Sequence, residues 1–169
     1  AAYMVGIGAT EMAGVLATGE IWVRVPDTIR IEWTGRLRRG VSAKDMMLFL
    51  CARFGMDGGQ YQAVEYSGDA VAALSMQERM TLSNMTAELG GFTGLVEPDN
   101  ETVRFLRERR GIDFALDAWM RSDPGAAYAA VVRIDASRLS PMVARPGDPG
   151  LGLPLADLPG AERPRIDIA

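Results

Sequence analysis

The stretch YQAVEYSGDAVAALSMQERMTLSNMTAELGG, residues 61–91, decides the fold, because it sets a strand directly before a helix. Residues 61–66 read as a strand closed by Gly68, and 69–74 as a short helical turn. From Ser75 onward the pattern becomes helical. Ser75 and Glu78 have capping-box spacing, and Gly90 with Gly91 offer a left-handed stop, so one helix is expected over 75–91. At about 100° per residue, Leu82, Met85 and Leu89 share one face. Gln77, Thr81, Asn84 and Glu88 share the opposite face, within roughly 60° of one another. That polar face carries amides, a hydroxyl and one carboxylate but no Lys or Arg, which suits a polar ligand as well as plain solvent.

Outward from this unit, strands and helices keep alternating. Residues 28–34 (TIRIEWT) alternate apolar and charged positions, as a half-exposed strand does. A basic turn with Arg36, Arg38 and Arg39 follows, and a solvated loop accounts for it. Ser42 and Asp45 open a helix apolar nearly all round, stopped at Gly55. Residues 92–96 read as a strand. Asp99 or Asn100 caps a helix with Val103 and Leu106 facing in and arginines at its C-terminal end, where the helix dipole favours them. A helical stretch over 113–120, anchored by Phe114 and Trp119, and a strand over 128–134 complete the series. Near the start, Thr10 is expected to cap a helix burying Met12, Val15 and Leu16. Gly6-Ile7-Gly8 does not continue as a dinucleotide fingerprint, since Glu11 stands where the third glycine belongs.

The alternation implies a layered α/β/α unit with a mainly parallel sheet over residues 1–140. Residues 141–169 are rich in Pro and Gly and read as a connector leading toward a further domain. In such sheets ligands sit beyond the carboxyl ends of the strands. The chain opens on Ala1 and closes on Arg165-Ile166-Asp167-Ile168-Ala169, which reads as a strand beginning, so both ends look cut.

Composition narrows the chemistry. The net charge of -4 argues against a general nucleic-acid or anionic-membrane surface. Lys44 is the only lysine and there is no histidine, which excludes a Ser-His-Asp or Cys-His arrangement. Cys51 is the only cysteine. It cannot form an intrachain disulfide, points to a reducing, cytoplasmic setting, and reads as a small core residue. A zinc or iron–sulfur site needs about three or four soft ligands, so this chain alone supplies none. No apolar run is long enough to span a membrane.

Three segments together, GATEMAGVLATGEIWVRVPDTIRIEWTG, GVSAKDMMLFL and MDGGQYQAVEYSGDAVAALSMQERMTLSNMTAELGGFTGLVEPD, resemble the large chain of the aconitase superfamily. The likeness runs from about Val5 to Pro146, is sharpest at MTLSNMTAELG, and is greatest to the large-subunit branch of the isopropylmalate dehydratases. It implies an aconitase-type domain of a hydro-lyase that moves water off and onto a hydroxy di- or tricarboxylate, in leucine biosynthesis for that branch. It also implies a [4Fe-4S] cluster whose open iron acts as Lewis acid on the leaving hydroxyl. The cluster cysteines would lie outside this chain, one in a Ser-Cys-Thr motif just after Ala169, and an Asp-Ser-His stretch would precede Ala1. Partners would be the small-molecule hydroxy acid, the remaining domains of the large subunit, and a small swivel subunit or domain.

Within Ser83-Asn84-Met85-Thr86-Ala87-Glu88 the resemblance assigns Asn84 to hydrogen-bond a sulfur at the cluster, outside the ligand shell. It assigns Glu88 to the open iron, facing its water or hydroxyl. Cys51 matches no ligand. The competing class is a non-catalytic α/β binding or assembly module derived from such an enzyme.

Overall fold

The computed structural model describes residues 3–5 and 7–160. Gly6 of the Gly6-Ile7-Gly8 stretch and the expected strand at 165–169 lie outside the described residues. Among the described residues, seven strands and five α-helices follow in order: β1 (Tyr3–Val5), α1 (Ala9–Thr18), β2 (Thr28–Thr34), α2 (Ala43–Phe54), β3 (Ala63–Ser67), α3 (Asp69–Ala72), α4 (Met76–Asn84), β4 (Thr93–Val96), α5 (Asn100–Arg110), β5 (Ala130–Asp135), β6 (Met142–Ala144) and β7 (Gly152–Pro154).

The main sheet has the order β1-β4-β3-β2-β5. The pairs β3–β4, β2–β3 and β2–β5 are parallel, and only β1 runs antiparallel, against β4. The mainly parallel α/β sheet read from the alternation is therefore present. Register sorts the side chains into two faces. Ile29 and Ile31 stand opposite Val64 and Tyr66, and Ile31 and Trp33 opposite Val132 and Ile134. This apolar face packs with Met46, Met47, Leu50 and Cys51 of α2 and with Leu82 of α4 in one core. On the other face Arg30 pairs with Glu65, and Arg133 with Glu32. Ser122 and Tyr128, from the irregular 111–128 stretch, both donate to Glu65 Oε2, at 2.6 and 2.9 Å. A strand that alternates charge with bulk separates a dry layer from a hydrogen-bonded one.

Several element boundaries depart from expectation. Helix α1 is capped by Gly8, not Thr10, and Glu11 turns back to accept the Gly8 N–H at 2.6 Å. It buries no residue: Leu16 is 81% exposed, since no described element packs over it. Strand β3 starts at Ala63, because Gln60 and Tyr61 take left-handed φ of 43° and 60° and cannot extend. Strand β5 runs Ala130–Asp135, two residues later than the sequence pattern places its start. The 113–120 stretch holds only a 3-10 turn, Ala118–Met120, and Trp119 stands 78% exposed instead of anchoring a helix. The stretch expected as an extended connector carries the β6–β7 hairpin, folded against α2. Asp45 joins the two: one carboxylate oxygen closes the α2 capping box on Ser42, and the other accepts the Met142 N–H at 2.6 Å.

Candidate functional site

The helix expected over 75–91 is shorter. Ser75 caps it and the Ser75–Glu78 box forms, yet α4 closes at Asn84. Asn84 and Glu88 therefore do not share a helical face; Glu88 sits on a separate turn after the helix. The reason lies at Thr86, Gly90 and Gly91. Thr86 Oγ1 bonds the Leu82 carbonyl at 2.9 Å and meets the Tyr66 hydroxyl at 2.8 Å, deep in the core. Gly90 takes φ 79°, and the Gly91 N–H reaches back to the Thr86 carbonyl at 2.9 Å. This is a six-to-one closure of the Schellman kind, which ends a turn sharply.

Placement follows from the topology. Helix α4 begins past the carboxyl end of β3 and runs back across the sheet, so its end and the Glu88 turn reach the amino edge. There the Phe92 N–H bonds the Gln62 carbonyl, just ahead of β3 and β4. The general rule for α/β sheets points to the opposite edge. That carboxyl edge does hold a cavity of about 250 Å³, lined by Arg30, Glu65, Ser67, Arg79 and Asp99 among others. Its most buried charge is already committed, because both terminal guanidinium nitrogens of Arg79 bond Asp99, each at 2.7 Å.

At the amino edge Asn84 is exposed and Glu88 half-buried. Glu88 Oε2 is buried without a hydrogen-bond partner. A buried carboxylate oxygen with no donor is costly, by about 1–3 kcal/mol, and asks for a reason. The Glu88 charge acts on the thiol of Cys51 and the phenol of Tyr66. Burial pushes Cys51 up to about 11, with Glu88 and Asp148 adding to the rise. Burial likewise holds the Tyr66 phenol far above its ordinary value. Cys51 is thus a protonated core residue, as its setting among α2 apolar side chains suggests.

Of the four polar-stripe residues, Gln77 and Asn84 are exposed, while Thr81 turns its hydroxyl back onto the Gln77 carbonyl. No group of three or more His, Cys, Asp or Glu among the described residues could hold a metal ion, and no described helix is long and apolar enough to cross a membrane. Sequence reading passed over Thr86, Tyr66 and Arg79. A signal existed for Arg79: it stands three residues from both Met76 and Leu82, on the buried side of α4. Thr86 had none, because only the long-range contact with Tyr66 gives it a role.

The sequence model of the aconitase family (aconitate hydratase) matches residues 1–165. The chain is 43% identical over 161 residues to the "Probable 3-isopropylmalate dehydratase large subunit" of Methanothermobacter thermautotrophicus, covering 95% of this chain and 38% of that protein. It is 42% identical over 159 residues to 3-isopropylmalate dehydratase large subunit 1 of Methanopyrus kandleri, covering 94% and 37% respectively. Against the 3-isopropylmalate dehydratase large subunit of Sulfurihydrogenibium sp. identity is 36% over 167 residues, covering 99% and 38%. The chain thus spans less than two-fifths of the length of these relatives.

Proposed function

The chain belongs to the aconitase family, and on that premise we propose that it is part of an isopropylmalate dehydratase-like hydro-lyase, to which it contributes Asn84 and Glu88. The substrate would be a hydroxy di- or tricarboxylate, dehydrated and rehydrated, with leucine biosynthesis as the setting that the relatives suggest. The observation that carries the reading is the Glu88 carboxylate. It lies at the sheet's amino edge with one oxygen buried and unpartnered, and an exposed amide stands four residues before it.

These residues fit a supporting place beside a cofactor, not a ligand set. A [4Fe-4S] cluster, held by cysteines elsewhere in the longer polypeptide, would supply the Lewis acid for the leaving hydroxyl. What this chain supplies is narrower. The Asn84 amide can donate a hydrogen bond to a sulfur or a substrate oxygen without rearrangement, being free in solvent. Glu88 is half-buried, and the part of its carboxylate that faces outward can take a proton from the reacting group and return it. Tyr66 and Cys51 keep their protons throughout, since burial raises both. A small subunit, the remaining large-subunit domains and the passage of the chain beyond residue 140 toward them belong to the same proposal.

Glu88→Gln in the complete enzyme tests it. The carboxamide keeps the volume but accepts no proton, so kcat should fall on the order of a hundredfold or more while the thermal midpoint holds. Wild-type turnover in that variant would remove the catalytic assignment.

A further inference from the structure

Glu88 is on a turn that local sequence alone would leave helical, and two unrelated parts of the chain hold that turn in place. The first is a hydroxyl pair. Thr86 Oγ1 donates its proton to the Leu82 carbonyl at 2.9 Å, so the 2.8 Å contact with Tyr66 must be donated by the phenol. Both residues are 1% exposed, so no water substitutes for either group. Thr86 is also wedged between two glycines, Gly91 of the closing turn and Gly94 of β4. A Cβ added at Gly91 would lie 2.6 Å from Thr86 Cγ2, and one at Gly94 would lie 2.4 Å from Thr86 Oγ1.

The second is the loop joining α2 to β3. Its Gly59 N–H donates to the Leu89 carbonyl at 2.7 Å, and the Tyr61 N–H to the Gly90 carbonyl at 2.8 Å. These bonds are aimed by two consecutive non-glycine residues in left-handed conformation, Gln60 and Tyr61. Such a conformation is uncommon for Gln and a clear outlier for Tyr, and a chain keeps it only when the surroundings over-determine it. The contact is close enough that a Cβ at Gly90 would meet the Met56 carbonyl oxygen at 2.3 Å.

We propose that Tyr66 and Thr86 are positioning residues for Glu88: their buried hydroxyl pair, braced by the left-handed Gln60–Tyr61 loop, fixes where the Glu88 carboxylate stands. The inference rests on the catalytic reading of Glu88 and deepens it. Thr86 lies between Asn84 and Glu88, so releasing it frees the path that separates the two groups. Displacing a reacting group by about 1 Å can cost on the order of a hundredfold in rate, whereas substrate affinity carried elsewhere is untouched.

The test is a set of variants in the complete enzyme: Thr86→Val, Thr86→Ser and Tyr66→Phe, with Thr86→Val and Tyr66→Phe also combined with Glu88→Gln. Thr86→Val and Tyr66→Phe should each lower kcat by about tenfold or more, with KM held within about twofold. Thr86→Ser keeps the hydroxyl and should recover most of the turnover. On the Glu88→Gln background Thr86→Val should add no further loss, because the group it positions no longer works. Multiplying losses in the double variant, or a lowered melting point with normal kcat, would overturn the proposal. Should Thr86→Val fail to fold, Tyr66→Phe decides, since it removes a single oxygen. A wild-type rate in Glu88→Gln sinks the catalytic reading and this proposal with it. A strong Glu88→Gln effect with normal kcat in Tyr66→Phe and Thr86→Val sinks only this proposal.

Discussion

Asp99 offers a quantitative test of how the fold is held at the carboxyl edge of the sheet. Its carboxylate does two things at once. It caps α5 by accepting the Glu101 and Thr102 N–H groups, and it binds both terminal nitrogens of Arg79 at 2.7 Å. Arg79 is 1% exposed and also donates to the Leu74 and Ala72 carbonyls, at 3.2 and 2.9 Å, so its charge has no route to water. Removing one partner of a fully buried pair costs about 3–5 kcal/mol. The Asp99 side chain is 41% exposed, and water can partly replace it, which lowers the figure to about 2 kcal/mol. Losing the cap adds about 1 kcal/mol. Asp99→Asn retains capping and should cost about 2 kcal/mol, and Asp99→Ala about 3 kcal/mol. For a chain of this size the alanine variant should melt about 6–12 °C lower. Urea titration of both variants at neutral pH measures the difference.

The pH dependence gives a second arm. Burial pushes the Asp99 carboxyl up, but the hydrogen bonds and charge of Arg79, with the two backbone N–H groups, outweigh it and hold the value below the ordinary range. A depressed folded value means stability present above the unfolded pKa of about 3.9 and lost as pH falls through the folded value. The gap between wild type and Asp99→Asn should therefore narrow below about pH 4. If Asp99→Asn is as stable as wild type at pH 7, or if the gap stays constant into acid, the pairing argument is wrong.

Three further outcomes follow from the geometry. Gly68→Ala should destabilise by about 3 kcal/mol or more, because Gly68 has φ 99° and an added Cβ would lie 2.3 Å from the backbone oxygen of Trp33, which cannot swing away; a melting point within a degree of wild type would contradict this. Cys51, with its thiol pushed up to about 11, should resist iodoacetamide at pH 8 in the native protein and react only after unfolding; mass spectrometry showing rapid native labelling would refute the burial. Asp45→Ala opens the α2 capping box and frees the Met142 N–H together, so it should cost about 2–3 kcal/mol and expose the 145–151 loop to limited proteolysis; an unchanged cleavage pattern would show that the hairpin holds without Asp45.

The parts of the fold that were readable from sequence are those where local chemistry and tertiary packing agree. TIRIEWT alternates because one face meets α2 and the other meets Glu65 and its hydroxyl partners, and the Ser42–Asp45 and Ser75–Glu78 boxes sit where their spacing places them. The parts that were not readable are those where a distant group outweighs the local preference. MTLSNMTAELGG has helical periodicity to its end, and nothing in those letters says that Tyr66 lies under Thr86 or that Gly59 and Tyr61 hold the carbonyls of Leu89 and Gly90. The same contacts that broke the predicted helix are the ones that set Glu88 apart from Asn84.

Leu16 and Trp119 fail for the complementary reason, since apolar periodicity reports that a face will be covered but not by what. The chain spans under two-fifths of its relatives' length, and among the described residues nothing covers Leu16 or Trp119. Asn84, in solvent, and Glu88, with its unpartnered oxygen, follow the same logic at the proposed site. A buried oxygen without a donor is uncommon and calls for an explanation. Glu65 and Asp99 find their hydrogen bonds within the fold, whereas Glu88 Oε2 and the core Trp33 Nε1 do not, so it is the loss of turnover in Glu88→Gln, and not the orphaned oxygen, that decides the catalytic reading.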